Sequence, residues 1–322
     1  MNSAVKLIVY RNDDSGPSRG AFALCKVIDS AEIIPVFTSG YHLNFNLLCL
    51  LFKPKKNWVV IGFGLLPDFF SYLMFGAKLR ISYLRGDINI NYRDDFGFFS
   101  SFFILMHKFL LAKMDMNLFL TQANADAYRQ CVSKRALIIP NLVDISGLGG
   151  DLNYVCRNMP NINVVGSLTA RKCPQDAILI ANILRHKYNI VAEVNFFGDG
   201  PLLSELKVIS HEMNVVATFY GAVSNPYEQF YQNDILLHTS ISEGASRAVL
   251  EALAFGFRVV SSNWPGVSEV IDDKKNGYIF RDLDQAAEII YQMINDKYLR
   301  ESYLLDNYHY SEISKVWNNV VS

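Results

Sequence analysis

Two glutamates with seven residues between them are the pair in this sequence best suited to bind a polar ligand. Glu243 follows the apolar run 234–238, which predicts a strand, and Glu251 lies in segment 246–255, which predicts a helix. Eight helical residues rise about 12 Å, so the two carboxylates are too far apart to share a proton. That distance suits contacts with the two ends of an extended ligand. A helix start also attracts a diphosphate. A solvated helix with a capping glutamate is the alternative, and this segment alone favours neither.

Other strand-to-helix turns carry small residues or cations of the kind that contact phosphate groups. The turn after the apolar run 162–165 leads to two cations, Arg171 and Lys172. Cations at a strand end can neutralise the charge that develops on a departing diphosphate. Because parallel strands end at one edge of a sheet, we expect these turns to converge on one site. The small residues of the turns are Gly166, Ser167, Gly198 and Gly221.

Short apolar runs alternate with longer segments of helical period along all 322 residues. The predicted strands are 6–10, 58–61, 79–84, 117–120, 136–139, 162–165, 192–197, 217–220, 235–238 and 259–261. The predicted helices are 19–29, 67–75, 98–112, 123–131, 175–186, 202–213, 246–255 and 285–295. This alternation predicts an α/β protein whose parallel sheets are covered on both faces.

Two such blocks predict two doubly wound, Rossmann-like domains, residues 1–145 and 146–322. The boundary is set by the cluster Gly147, Gly149 and Gly150, where periodicity is lost. A Tyr/Leu/Trp stripe in the last helical segment could pack that segment back on the first domain.

Composition excludes several classes of protein. Hydrophobic residues make up 51% and charged residues 19%, which indicates a globular chain. The net charge of -1 divides unevenly: residues 1–144 hold 16 Lys and Arg against 11 Asp and Glu, whereas 145–322 hold 14 against 20. A basic first half suits a phosphorylated partner or an anionic surface, although sampling alone can produce the difference. No basic-aromatic module predicts nucleic-acid binding.

The cysteines and apolar segments predict a cytoplasmic protein. The five cysteines are scattered without a CxxC pattern, which argues against disulfides and zinc. We predict no signal peptide and no membrane-spanning helix, since the most apolar stretch, 96–112, is short for a span. That stretch predicts a buried helix or, alternatively, a peripheral patch on the inner face of the membrane, assisted by Lys53, Lys55 and Lys56.

From about residue 138 to residue 280 the sequence resembles the retaining GT-B glycosyltransferases of the large family 4, the glycosyl transferases group 1. The motifs occur in the family's order and spacing and cover close to half of the chain. They are IPNLVD at 139–144, GSL at 166–168 with Lys172, GDGP at 198–201, YG at 220–221, SISEG at 240–244, the Glu243/Glu251 pair, EALAFG at 251–256, PGVSEV at 265–270 and NGY at 276–278.

The resemblance implies two Rossmann-like domains that face each other across a cleft, with the donor on the C-terminal side. It implies that Glu243 contacts sugar hydroxyls near the reacting carbon, that Lys172 binds the diphosphate and that Glu251 holds the ribose. The remaining implied donor-site residues are Gly166, Ser167, Gly198, Gly221, Gly244, Ala245 and Ser246.

Three positions depart from the family's pattern. Ser167 stands where the family has arginine, and Arg171 is the candidate to supply that charge. Cys173 stands where the family has glycine, and Thr239 where it has proline.

The first half resembles the family more loosely. Segment 11–20 is similar to the family's glycine-containing first loop, so Gly16 is a candidate for donor binding, with a plain turn as the alternative. Arg19, Arg85 and Asp87 are candidates for acceptor binding, although a surface ion pair explains the last two equally well.

The resemblance implies a retaining hexosyltransferase that uses a UDP- or GDP-sugar and a saccharide or polyprenyl-diphosphate-linked acceptor, in the synthesis of bacterial surface polysaccharide, lipopolysaccharide or glycolipid. No metal or other cofactor is expected, because Asp282 and Asp284 form a DxD that is interpreted as a helix cap. His238 is interpreted as a packed core histidine. The alternatives are a sugar-nucleotide epimerase or hydrolase on the same fold and a non-catalytic nucleotide-sugar-binding scaffold.

Overall fold

The chain divides into two units, each built around its own parallel sheet. The computed structural model describes residues 3–12, 16–38, 42–132, 135–143, 156–295, 305 and 308–321. One unit contains Met1–Leu142 and Asp306–Ser322, and the other contains Val143–Leu305. The predicted boundary between 145 and 146, with its three glycines, lies outside the described residues.

The first unit carries a six-stranded parallel sheet in the order β2-β1-β3-β4-β5-β6. In chain order its elements are β1 (Ala4–Arg11), α1 (Gly16–Cys25), β2 (Ala31–Phe37), α2 (Phe45–Leu50), β3 (Trp58–Gly62), α3 (Leu65–Leu73), β4 (Leu79–Leu84), α4 (Ile88–Phe96), α5 (Ser100–Lys113), β5 (Met116–Phe119), α6 (Gln122–Ala127), β6 (Ala136–Ile138) and α11 (Tyr310–Val321). The last helix belongs to this unit: buried Trp317 meets Tyr83 edge-on, with ring centroids 5.3 Å apart.

The second unit carries a six-stranded parallel sheet in the order β12-β11-β10-β7-β8-β9. Its elements are β7 (Ile162–Val165), α7 (Gln175–Tyr188), β8 (Val194–Phe197), α8 (Leu203–Glu212), β9 (Ala217–Gly221), β10 (Ile235–His238), α9 (Arg247–Ala254), β11 (Arg258–Ser262), β12 (Tyr278–Phe280) and α10 (Leu283–Asn295). This order is that of the Rossmann fold, in which the winding direction reverses between β7 and β10. The predicted doubly wound α/β class is therefore confirmed.

The strands and helices that sequence patterns missed are short or irregular. Strands β2 and β12 lie at sheet edges. Pro35 in β2 has no N–H group to donate to a neighbouring strand, which only an edge strand tolerates. Strand β12 has only three residues. Helices α2 and α4 were also not predicted. Helix α1 begins before the predicted range 19–29 and ends within it, at Cys25.

Helices α4 and α5 form an antiparallel hairpin. The ring of Tyr92 stacks on His107 with centroids 5.7 Å apart, and Phe96 lies 4.2 Å from Phe103. In one continuous helix, residues as distant in sequence as Tyr92 and His107 would be about 22 Å apart. The chain reverses at Gly97, whose φ of 49° favours glycine.

The hairpin bears on the prediction that no helix could span a membrane. By length and composition, the helical stretch Ile88–Lys113 is long and apolar enough to do so. Only 22% of its most apolar part is buried. The prediction counted only residues 96–112, and length and composition do not decide it, so it stays a prediction. In the folded hairpin, however, the 14 residues of α5 rise about 21 Å, less than the ~30 Å of a bilayer core.

A buried polar cluster anchors the hairpin to the rest of the first unit. Asp68 in α3, His107 in α5 and Ser82 in β4 have no exposed surface. His107 Nε2 lies 2.8 Å from Asp68 Oδ2, and His107 Nδ1 lies 2.6 Å from the Tyr92 hydroxyl. Burial raises the pKa of Asp68, while its contacts with His107 and Ser82 oppose that shift.

Candidate active site

The candidate site lies at the carboxyl edge of the second sheet, where β7 and β10 are neighbours. The turn after β7 and the turn after β10 are joined by hydrogen bonds. Thr239 Oγ1 donates to the Lys172 carbonyl at 2.8 Å, and the Ile241 N–H donates to the Arg171 carbonyl at 3.1 Å. These bonds fix the position of the segment that leads into Glu243, at the place where doubly wound sheets bind ligands.

Basic groups surround the carboxylate of Glu243, whose side chain is 10% exposed. The Lys172 ammonium pairs directly with Glu243 Oε1. Arg171 Nη1 lies 3.8 Å and His238 Nε2 lies 3.3 Å from the same oxygen. The structure thus brings together the three residues predicted as catalytic and adds His238.

The surroundings of Glu243 decide its charge. Burial alone would raise its pKa, but Lys172, His238 and Arg171 together hold the pKa of Glu243 well below its ordinary range. Burial lowers the pKa of His238, against the opposing effect of Glu243. At neutral pH the cluster therefore contains one carboxylate, two cations and a neutral imidazole, a combination that attracts an anionic ligand.

Arg171 also has a structural task that sequence patterns did not indicate. Its Nη1 donates to the carbonyl of Ser242 at 2.7 Å, which holds the residue next to Glu243. The neighbouring Cys173 has a φ of 44°, in the left-handed region that favours glycine. This conformation agrees with the glycine that the resemblance implies at that place.

The turns after β7, β8 and β9 lie close together. Gly166, Gly198 and Gly221 all have positive φ angles. A Cβ atom on Gly198 would lie 1.8 Å from the carbonyl oxygen of Gly166, so the two backbones can approach only without a side chain there. The predicted convergence of these glycine turns on one edge of the sheet is observed.

Glu251 lies on α9, where two side chains contact its carboxylate. The Tyr227 hydroxyl lies 3.3 Å from Glu251 Oε2 and 3.0 Å from the Ala248 carbonyl, and Arg247 Nη2 donates to Glu251 Oε1 at 3.0 Å. Helix α9 begins at Arg247 after the N-cap Ser246. The separation of about 12 Å expected for eight helical residues therefore does not apply, because the first four of these residues precede the helix.

Three small residues precede helix α9. Gly244, Ala245 and Ser246 connect Glu243 to the helix and are all buried. The hydroxyl of Ser246 makes no capping hydrogen bond to the helix that follows. Their proposed contacts with sugar or phosphate remain a prediction.

The residues predicted to bind the acceptor lie in the first unit, and two of them have hydrogen-bond partners there. Arg85 Nη2 donates to Asn141 Oδ1 at 2.6 Å, and its guanidinium packs so closely on Gly20 that a Cβ there would lie 2.4 Å from Nη1. Asp87 caps α4 by accepting from the N–H groups of residues 89 and 90, and it accepts the Tyr128 hydroxyl at 2.6 Å. Asp87 is thus a structural cap.

The other N-terminal candidates lie on α1. Arg19 is exposed, and Gly16 is the first residue of that helix. The preceding loop residues 13–15 lie outside the described part of the chain. Acceptor or donor contacts of these residues remain predictions.

The DxD sequence has the structural role predicted for it. Asp282 Oδ1 accepts from the Gln285 N–H at 2.8 Å and caps α10, and Asp284 pairs with Lys187 at 3.1 Å. Among the described residues, no three His, Cys, Asp or Glu side chains gather as they would around a metal ion.

Comparison with solved structures identifies the fold of the chain. Two Rossmann-like units in one chain match the GT-B glycosyltransferase fold. The structure of Anabaena HepE, solved in complex with UDP and glucose, shares this fold with a TM-score of 0.75 and 15% identity, covering 99% of each chain.

The sequence of the second unit also matches a family of known proteins. Residues 158–304 match the family described as glycosyl transferases group 1. The matched range includes every strand of the second sheet.

Curated relatives match parts of the chain. Protein CapJ of Staphylococcus aureus is 30% identical over 136 residues, which cover 40% of this chain and 33% of that protein. The N-acetylgalactosamine-N,N'-diacetylbacillosaminyl-diphospho-undecaprenol 4-alpha-N-acetylgalactosaminyltransferase of Campylobacter jejuni is 26% identical over 218 residues, 63% of this chain and 58% of that protein. The chain thus spans between one third and three fifths of these relatives.

Proposed function

We propose that this chain is a retaining glycosyltransferase that moves a hexose from a UDP- or GDP-sugar to a hydroxyl of a saccharide or polyprenyl-diphosphate-linked acceptor. The observation that carries the proposal is the cluster of Glu243 with Lys172 and Arg171 at the switch point of the family-matched unit. A carboxylate beside two cations suits a ligand that carries sugar hydroxyls next to a diphosphate.

The proposed reaction needs no protein nucleophile. The acceptor oxygen forms a bond to the anomeric carbon on the face from which the diphosphate oxygen departs, and the acceptor proton passes to an oxygen of that diphosphate. Lys172 and Arg171 stabilise the negative charge on the leaving group, and Glu243 orients the sugar through its hydroxyls. We propose that these two cations replace a metal ion in this role.

At the other end of the donor, we propose that Glu251 accepts hydrogen bonds from the ribose hydroxyls. Tyr227 and Arg247 each contact one of its two oxygens, which orients the carboxylate and leaves lone pairs for a ligand.

Glu251→Ala is expected to weaken binding of the nucleoside diphosphate about 5- to 150-fold, the equivalent of ~1–3 kcal/mol for buried hydroxyls that lose their acceptor. Calorimetric titration with UDP and GDP measures the change. The matched control is Glu205→Ala, which removes an exposed carboxylate from α8 of the same unit. Equal affinities of both variants and the wild type would remove Glu251 from the site.

We also propose that the hairpin of the first unit binds an anionic lipid surface, where a polyprenyl-linked acceptor resides. The side chains Phe98, Phe102, Leu105 and Phe109 are 94%, 63%, 70% and 52% exposed. Phe102, Leu105 and Phe109 lie along one outer stripe of α5, and Phe98 lies in the turn that precedes this helix. The stretch 97–113 contains no Asp or Glu and two lysines, so it is apolar and cationic together.

The basic residues of the loop before β3 support this surface less than their sequence suggests. Lys53 and Lys56 are exposed. Lys55 is buried, and its ammonium donates to the carbonyls of Leu51 and Lys53 at 2.7 and 2.9 Å. The expectation that Lys55 attracts lipid headgroups is therefore wrong.

The double variant Phe98→Ser, Phe102→Ser is expected to lower the fraction bound to vesicles at least tenfold. The reason is that each phenylalanine contributes about 1.5–3 kcal/mol when its side chain leaves water. Flotation with vesicles of phosphatidylcholine and phosphatidylglycerol measures binding. The control is Val208→Ser, an exposed apolar residue of α8. Failure of the wild type to float would contradict the lipid partner.

A further inference from the structure

His238 is the one buried histidine beside the candidate site in the described part of the second unit. It ends β10, five positions before Glu243, and its side chain is 5% exposed. Its ring lies 6.4 Å from the ring of buried Trp264. The ring is thus fixed by a strand end on one side and by a large aromatic side chain on the other.

Its two nitrogens have no well-directed hydrogen bond among the described residues. Nε2 lies 3.3 Å from Glu243 Oε1, close enough for attraction. A buried polar group without a hydrogen bond is costly, which makes such a group a marker of function in a site. Burial lowers the pKa of His238, so the ring is neutral and has one donor and one acceptor nitrogen.

Glu243 has several partners of different kinds. Lys172 and Arg171 are cations on a turn, and a diphosphate would attract both. His238 is neutral and held by packing, so a phosphate has less attraction for it. If both cations bound the diphosphate instead, His238 would be the remaining ion-pair partner of Glu243 among the described residues.

We propose that His238 is a positioning residue: its Nε2–H holds the Glu243 carboxylate toward the hydroxyls of the donor sugar while Lys172 and Arg171 bind the diphosphate. This inference rests on the proposed function of the site. It assigns no proton transfer to His238, because the ring stays neutral and acts through Glu243.

Two conservative substitutions separate the two ring nitrogens. The amide nitrogen of glutamine can reach the place of Nε2, whereas that of asparagine reaches the place of Nδ1. His238→Phe keeps the volume of the ring and removes both nitrogens. The positioning role predicts that glutamine rescues the function and that asparagine and phenylalanine do not.

The readout is the affinity gained from the sugar. We would titrate the full chain with UDP-glucose, UDP-N-acetylglucosamine, GDP-mannose and ADP-glucose and with the parent nucleoside diphosphates. The Kd of the nucleoside diphosphate divided by the Kd of its nucleotide sugar gives the affinity that the sugar adds. We expect this ratio to fall about tenfold in His238→Asn and His238→Phe, as one hydrogen bond to a charged group is lost, and to stay within about threefold in His238→Gln.

Affinity for the parent nucleoside diphosphate serves as the folding control, because it is expected to be unchanged in all three variants. An unchanged sugar ratio in His238→Asn and His238→Phe would overturn the inference, as would a glutamine variant as impaired as the phenylalanine variant. If the wild type bound none of the nucleotides, the proposed function itself would fail and the inference with it.

Discussion

Glu243→Gln is expected to lower the rate of sugar transfer about a hundredfold, while the nucleoside diphosphate still binds. Glutamine keeps the size of the side chain and removes its charge, so that hydrogen bonds from the donor hydroxyls become neutral ones. The expected loss is near the upper end of what one charged hydrogen bond contributes, about 3 kcal/mol.

The retained affinity is the distinctive part of this prediction. Glutamine no longer neutralises Lys172, so the cation is freer to bind the diphosphate, and nucleotide affinity is expected to stay or rise. The rate of transfer and the Kd of the nucleotide are measured on the same preparation, with Glu205→Gln as the control. A variant that transfers sugar at the wild-type rate would remove Glu243 from the reaction.

The second large effect concerns stability. His107→Leu is expected to lower the free energy of unfolding of the first unit by about 3 kcal/mol, because it leaves the buried Asp68 without its main partner. Asp68 Oδ1 already has no hydrogen-bond partner among the described residues. The Tyr92 hydroxyl loses the His107 nitrogen at the same time. Urea unfolding, followed by fluorescence, measures the change.

The double variant His107→Leu, Asp68→Leu is the matched control for this effect. Removing both partners removes the unpaired buried carboxyl, so the double variant is expected to recover part of the stability lost in the single one. A single variant as stable as the wild type would show that the cluster does not anchor the hairpin.

The sequence predicted the central features of the fold because these depend on regular patterns. Ten strands follow from apolar runs, and the motifs from Gly166 to Glu251 place the site at the carboxyl edge of the second sheet. Strand β2 was missed because Pro35 breaks its pattern. Helix α4 was missed because the sequence of 88–96 is polar and its partner lies across the hairpin turn at Gly97.

The parts of the site that could not be predicted depend on side-chain contacts between distant residues. The sequence around His238 is that of a core histidine in a strand, and only the fold brings its Nε2 to Glu243. The sequence indicates that Arg171 is a free cation, but it donates to the Ser242 carbonyl. Tyr227 lies 24 positions before Glu251, with no pattern that links the two.

The most direct test of the donor site is calorimetric titration of the wild type and of Glu251→Ala with a panel of UDP-, GDP- and ADP-sugars, in the presence of EDTA. We expect the wild type to bind the sugars of one nucleotide selectively, and the variant to bind them more weakly. The absence of binding to every member of the panel, or binding that requires a metal ion, would contradict the proposed metal-independent donor site.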